Sequence, residues 1–378
     1  MAQGVAIDSA QVKGLVAMGR TLVALVKAAG GVAACVVLTR VLLRHQHHRC
    51  KPRRFKRGRF ADRRSERSAG KQIERDGYTT KKAKIEGLDV IVIGSGIGGL
   101  TCAALLSRAG WRCLVLEQHY IAGGCTHMFE DKGYEFDTGL HYVGNIDRRR
   151  KYLDLVCSEP LEWDQMGSSE DGFVYDEVVV GPNSKETSVK FPAGRKPFLD
   201  ALEAAFPGSR ENVESWLDFL GKVNKSDMFF DLKLVRPRIL GFLLQHFLSS
   251  AFFQWVRHGA VEAVNSRVSD ARLRAILLGQ FGNYCSMPGE ASVFTHATVH
   301  LHYLGGAWYP QGGSVEIARK IIPTIERTGG RVLVRKGVRR ILVENGRSCG
   351  VVMENGDEIR APCVISASGA QNTWGKLV

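Results

Sequence analysis

The stretch Asp89–His119, "DVIVIGSGIGGLTCAALLSRAGWRCLVLEQH", constrains the fold more than any other part of the chain. "DVIVIG" is a short β-branched run closed by glycine, the pattern of a buried parallel strand. "LTCAALLSRAG" continues as a helix and "WRCLVLEQH" as a second strand. The turn between them carries GxGxxG at Gly94, Gly96 and Gly99, with Ser95 and Gly98 beside them. This is a βαβ unit with the dinucleotide fingerprint. Gly94 permits the tight turn, Gly96 lets backbone approach a pyrophosphate, and Gly99 lets helix and strand pack closely. The helix N-terminus presents free N–H groups to the phosphate charge. Glu117, followed by Gln118, ends the second strand about 20 residues on, where a carboxylate accepts from the ribose hydroxyls of an adenosine and repels a 2′-phosphate. The pattern alone leaves FAD and NAD both open, and it disfavours NADP at this site.

With 378 residues, the chain holds more than one domain or one large split domain. Hydrophobic residues make up 44% and charged residues 24%, enough to build a core. The nine cysteines lack a CxxC pair, so reduced, buried thiols are expected, with no disulfide framework and no zinc site. The formal charge of +14 is concentrated: Arg40–Lys84 holds 17 Lys/Arg against four Asp/Glu. The basicity therefore belongs to a leader and linker, and the near-neutral body argues against nucleic-acid binding.

Leu22–Leu43 is apolar and about long enough to span a bilayer. Its basic flank, "RHQHHRCKPRRFKRGR", stays cytosolic by the positive-inside tendency and attracts anionic lipid. No acid occurs between Asp8 and Asp62, which also suits an organelle transit peptide or a disordered leader. His45, His47, His48 and Cys50 lack the partners that would complete a metal site. The polar linker that runs to about Glu86 cannot bury enough surface to fold alone.

Beyond Glu117, "AGGCTHMF" places Gly123 and Gly124 where backbone passes close to a second part of a long cofactor. With "GYEFDTGLHYVG" after it, this arrangement resembles the carotenoid and retinoid oxidoreductases of the phytoene-desaturase-like FAD superfamily, and within them the retinol saturases. The stretch from "GNYCSMPGEASVF" to "CVISASGA" resembles the same family. The resemblance implies FAD as cofactor, with electrons ultimately from NAD or NADP, and saturation of a C=C bond in a retinoid or related polyene; the alternatives are a carotenoid isomerase or desaturase of the same fold, or an inactive truncated form that binds lipid or membrane. It implies an adenine contact from Val338. It also implies an endoplasmic reticulum membrane location with the body facing the cytosol; a transit peptide would instead mean plastid or mitochondrion. Family members continue beyond "GAQNTWGKLV", so the resemblance implies a C-terminally incomplete domain.

The expected fold class is α/β: a Rossmann-like FAD-binding domain, a doubly wound parallel sheet with added strands, interrupted by a mixed α+β substrate domain. The expected order is an anchor or targeting segment over 1–45, a basic disordered linker over 46–87, the first FAD-binding half over 88–150, the substrate domain over 151–290 and the second half over 291–378. Asn345-Gly346 and Asn355-Gly356 mark hairpin turns in that second half. In the substrate domain, Ile239–Val256 contains no charged residue and places Gln245 and Ser249, and His246, Ser250 and Gln254, on one helix face. It reads equally as an in-plane membrane helix that admits an apolar substrate or as a core helix. Saturating a C=C bond takes a hydride and a proton. His141, Tyr142, His302, Tyr303 and Tyr309 are the candidate donors, each of which could equally be an aromatic packing residue with a satisfied polar tip.

Overall fold

The computed structural model describes residues 72–181, 187–232, 241–242, 244–245 and 250–378. The apolar leader, the four metal-type residues after it and much of the 239–249 run lie outside the described residues.

Four parallel strands form the central sheet, in the order Arg331–Leu333, Cys113–Leu116, Val90–Ile93, Cys363–Ser366. By position in the chain this order is third, second, first, fourth, so the direction of winding reverses between Val90–Ile93 and Cys363–Ser366. In open α/β sheets, ligands bind beyond the carboxyl ends of the strands at such a switch point. Alternation along each strand decides what each face covers. Val90, Val92, Cys113, Val115 and Val332 point to the face packed by the Ile97–Arg108 and Val315–Glu326 helices. Ile91, Ile93, Leu114, Leu116 and Leu333 point to the other face. That face is covered by an antiparallel sheet of Val338–Glu344, Arg347–Met353 and Glu358–Arg360. The Asn345-Gly346 turn has φ of 51° and 73°, the left-handed pair that a two-residue hairpin requires.

The linker ends earlier than expected. Residues 72–87 pack onto the domain. Glu74 is 1% exposed and its carboxylate accepts from Arg319 Nη2 at 2.9 Å. Gly77 bridges Val334 in parallel, and Lys82 Nζ pairs with Asp76 Oδ1 at 2.6 Å. A polar segment folds here because its charges find partners, which composition does not reveal. The cysteines also depart from expectation. All seven described ones are free thiols, but Cys125 and Cys285 are exposed.

Of the described residues, those in 222–258 form one compact unit, and those in 72–221 and 259–378 form the other. The first is held by aromatic packing, with Phe229 and Phe252 stacked at 4.1 Å. Within the uncharged run, residues 250–256 lie in the Ser250–Arg257 helix, and Phe242, Phe253 and Val256 are exposed. Among the described residues, no helix is long and apolar enough to cross a membrane.

In the larger unit, an antiparallel sheet of Val143–Gly144, Ala307–Pro310 and Trp163–Gln165 adjoins the ribbon Asp176–Val179/Ser188–Phe191 and several helices. The Val293–Tyr303 helix buries Val293, His296, Ala297 and His300, a stripe at helical spacing that turns two histidines inward.

Candidate cofactor and substrate site

The glycine loop leaves the Val90–Ile93 strand at the switch point. Gly94 has φ of 97° and its N–H donates to Leu116 O at 2.8 Å. A Cβ on Gly99 would overlap the Gly94 carbonyl oxygen and lie 3.2 Å from Ala367 Cβ, so helix, loop and returning strand meet only at glycine. Gly96 and Gly98 face open space instead. Gly96 is the N-cap of the Ile97–Arg108 helix and offers no side-chain cap, so the first N–H groups of that helix are left for an external acceptor.

The second glycine pair closes against the first. Gly96 bridges Gly123, and a Cβ on Gly124 would come within 2.8 Å of Gly96 Cα. Gly123 has φ of 124° and lies against Ala318 of the Val315–Glu326 helix. Two motifs 24 or more residues apart in sequence thus form one backbone cradle.

Glu117 organises this cradle. Its Oε2 accepts from both the Ser95 N–H and the Ser95 hydroxyl at 2.8 Å, and its Oε1 accepts from the His119 N–H at 2.8 Å. A carboxylate offers about four lone-pair sites. Three are taken, which leaves one for a ribose hydroxyl where the sequence suggested two. Gln118 is exposed. Val338 starts its strand two residues after Lys336, whose N–H donates to Glu117 O at 3.1 Å. Glu117 and Val338, the two residues expected to contact an adenosine, therefore share one end of the sheet. The donors and the open glycine surfaces fit a dinucleotide with a pyrophosphate.

Three of the five candidate proton donors meet. Tyr142 and Tyr303 stack edge to face at 4.9 Å, and His302 lies 4.6 Å from Tyr303. His302 Nε2 accepts from the Gly144 N–H at 2.9 Å, so that nitrogen carries no proton. Tyr142 donates to Asp176 Oδ2 at 3.4 Å and accepts from Asn283 Nδ2 at 3.3 Å. Burial is the main reason its hydroxyl is pushed up to about 12. Tyr309 donates to Asp137 Oδ2 at 2.7 Å; burial, then Asp137, pushes it up to about 12. Its proton is committed to that carboxylate. His141 is exposed.

Sequence reasoning missed Tyr175, Asp176, Gln280 and Asn283 around Tyr142. It also missed His296 and His300, which stack at 5.7 Å in a buried aromatic setting with Phe198 and Trp216. The helical spacing of the two histidines was the only available signal.

This combination of glycine cradle, acidic strand end and reversed winding defines a dinucleotide-binding α/β fold. The family model described as flavin containing amine oxidoreductase matches residues 97–372, and the chain belongs to that family. Among solved structures, an oxidoreductase from Methanosarcina mazei aligns with a TM-score of 0.50 at 20% identity, covering 75% of this chain and 59% of that one. A redesigned putrescine oxidase aligns at 0.51 and 15%, covering 77% and 59%. At these identities the likeness concerns the fold alone.

The curated relatives are more similar. An all-trans-retinol 13,14-reductase of Danio rerio is 36% identical over 324 residues, 83% of this chain and 52% of that protein. An inactive all-trans-retinol 13,14-reductase of the same organism is 35% identical over 305 residues, 78% of this chain and 49% of that one. A chloroplastic prolycopene isomerase of an Oncidium hybrid cultivar is 27% identical over 308 residues, 79% and 51%. The chain spans about half the length of the curated relatives it matches.

Proposed function

We propose that this chain is part of an FAD-dependent oxidoreductase that saturates one C=C bond of a retinoid polyene, with electrons ultimately from NADH or NADPH. The observation that carries the reading is the 36% identity to a retinol 13,14-reductase across 83% of this chain, over residues that include the glycine cradle. When bound, FAD supplies hydride transfer through its ring. The protein's part is positional. Gly96, Gly98 and the uncapped helix start would hold the pyrophosphate, Gly123 and Gly124 would let backbone pass beside it, and Glu117 would take one ribose hydroxyl. An apolar polyene offers few polar handles, so aromatic surface such as Tyr303 must hold it and keep water out.

The apolar leader and its basic flank support work at a membrane, for which we propose the endoplasmic reticulum with the body in the cytosol. The decisive assay supplies FAD, all-trans-retinol and either nicotinamide cofactor to the protein in membranes, and separates products by chromatography. Formation of a dihydro product supports the reading. Conversion of a cis-carotenoid to its all-trans isomer, with retinol untouched, would favour the isomerase reading. Flavin binding without turnover of either polyene would favour an inactive form, a reading that the 35% identity to the inactive relative keeps open.

A further inference from the structure

The cluster around Tyr142 holds two buried polar atoms with no hydrogen-bond partner among the described residues: Tyr175 Oη and Gln280 Oε1. Tyr175 is 4% exposed and Gln280 is 2% exposed. Buried polar groups in native proteins are nearly always paired, so two orphans in one cluster call for an explanation. Gln280 reaches the cluster by a specific device. A Cβ on Gly279 would lie 2.5 Å from Val178 Cγ1, so only glycine lets this turn approach the Asp176–Val179 strand. Gln280 itself leaves helical geometry, with φ −80° and ψ 15°.

The contacts that are made are loose. Gln280 Nε2 donates to Asp176 Oδ2 at 3.3 Å, and Tyr142 reaches the same oxygen at 3.4 Å. Both are long for good hydrogen bonds. The surroundings are aromatic. The Tyr175 ring lies 6.4 Å from both Tyr303 and Phe191, and Phe191 lies 4.9 Å from Phe198.

We propose that Tyr175 and Gln280, with Tyr142 and Asp176 beside them, form the subsite for the hydroxyl end of a polyene alcohol; this rests on the retinoid reading above. The orphans are one donor and one acceptor. A hydroxyl group is both at once: it accepts from Tyr175 O–H and donates to Gln280 Oε1. An aldehyde has no proton to give Gln280. A carboxylate has none either, and meets the Asp176 charge. A hydrocarbon leaves both orphans unpaired. The selected substrate class is therefore the alcohol, ahead of its oxidised forms.

The test is equilibrium binding of all-trans-retinol, of the corresponding aldehyde and of the hydrocarbon lacking the hydroxyl, to the FAD-supplied chain, by quenching of tryptophan fluorescence. Parent, Tyr175→Phe and Gln280→Met are compared. Both variants remove an orphan atom, and Tyr175→Phe breaks no native hydrogen bond, so its melting temperature stays at or above that of the parent. The parent is expected to prefer the alcohol to the hydrocarbon by about tenfold or more. Each variant is expected to lose most of that preference while binding the hydrocarbon as the parent does. Equal binding of all three ligands by the parent overturns the subsite and leaves the polyene reading standing. So does a preference that survives both substitutions. Binding of none of the three overturns the polyene reading itself, and the subsite with it.

Discussion

Burial of His296 and His300 should make the domain lose stability in acid. They are 0% and 1% exposed, on successive turns of one helix. His296 Nδ1 has a loose contact with the Tyr284 hydroxyl at 3.4 Å. His296 Nε2 and both nitrogens of His300 have no partner among the described residues. Burial lowers His296 from 6.5 to about 4. Burial, then the neighbouring charge of His296, lowers His300 to about 3. Because the folded values lie below the unfolded ones, the unfolded chain binds more protons, and stability falls as pH drops below 6.5 toward those folded values. Down to about pH 4.5, each histidine loses about 1.4 kcal/mol per pH unit over about two units, or about 5 kcal/mol for the pair. That is comparable to the whole stability of many domains, which starts at about 5 kcal/mol. Urea unfolding followed by circular dichroism at about pH 7.5 and 4.5 measures the loss. A His296→Leu/His300→Leu variant should lose about 5 kcal/mol less than the parent between these conditions. Titrating carboxylates contribute equally to both chains and cancel. At pH 7.5 the variant should be at least as stable as the parent, because it removes unpaired buried nitrogens. Parallel losses in variant and parent would refute the reasoning.

Three further outcomes follow from the cradle and its surroundings. Glu117→Ala removes the one free carboxylate site and releases Ser95 and His119, so FAD should bind about tenfold to a hundredfold more weakly in a fluorescence titration; unchanged affinity would argue against the ribose role. Gly124→Ala drives a methyl group into Gly96 Cα and should abolish flavin retention on gel filtration while the thermal transition persists, whereas a variant that keeps its flavin would show that the two loops need not touch. Deletion through Lys71 should leave the fold intact and reduce membrane association. Deletion through Gly87 should also lower stability by about 2–4 kcal/mol, mainly because Ile73, Tyr78, Ala83 and Ile85 no longer cover the two core faces, while Arg319 keeps its pair with Glu316. Equal melting temperatures for the two truncations would show that residues 72–87 do not stabilise the domain.

The parts of this protein that could be read from sequence are those in which neighbouring residues make the structure. Gly94, Gly96 and Gly99 lie in one turn, and their spacing follows from the backbone geometry of a single βαβ unit. Asn345-Gly346 carries its own left-handed turn. Val90–Ile93 declares its burial because both of its faces are apolar. The contact of Gly124 with Gly96 is different in kind. Each glycine was visible, but their meeting depends on the chain crossing back after Glu117.

The candidate substrate site is less legible for the same physical reason. Tyr142, Asp176 and Gln280 are brought to one cluster by three separate segments, and Gln280 and Asp176 are 104 residues apart. None of these segments has a periodic pattern that points to the others. An isolated glutamine or aspartate in a sequence reads as solvated surface, since nothing local shows that tertiary packing will bury it. Glu74 makes the same point in the linker: its composition suggested disorder, yet the residue lies almost fully buried because Arg319, 245 positions away, supplies the opposite charge. Composition rules work on averages over neighbours, whereas a buried charge is decided by one distant partner. Tyrosines and histidines were nominated as donors because their side chains can do the chemistry. The structure separates them by the hydrogen bonds they already make: Tyr309 gives its proton to Asp137, and His302 accepts at Nε2. Beside Tyr142, the polar atoms left uncommitted among the described residues lie on Tyr175 and Gln280, two residues that no local sequence pattern singles out.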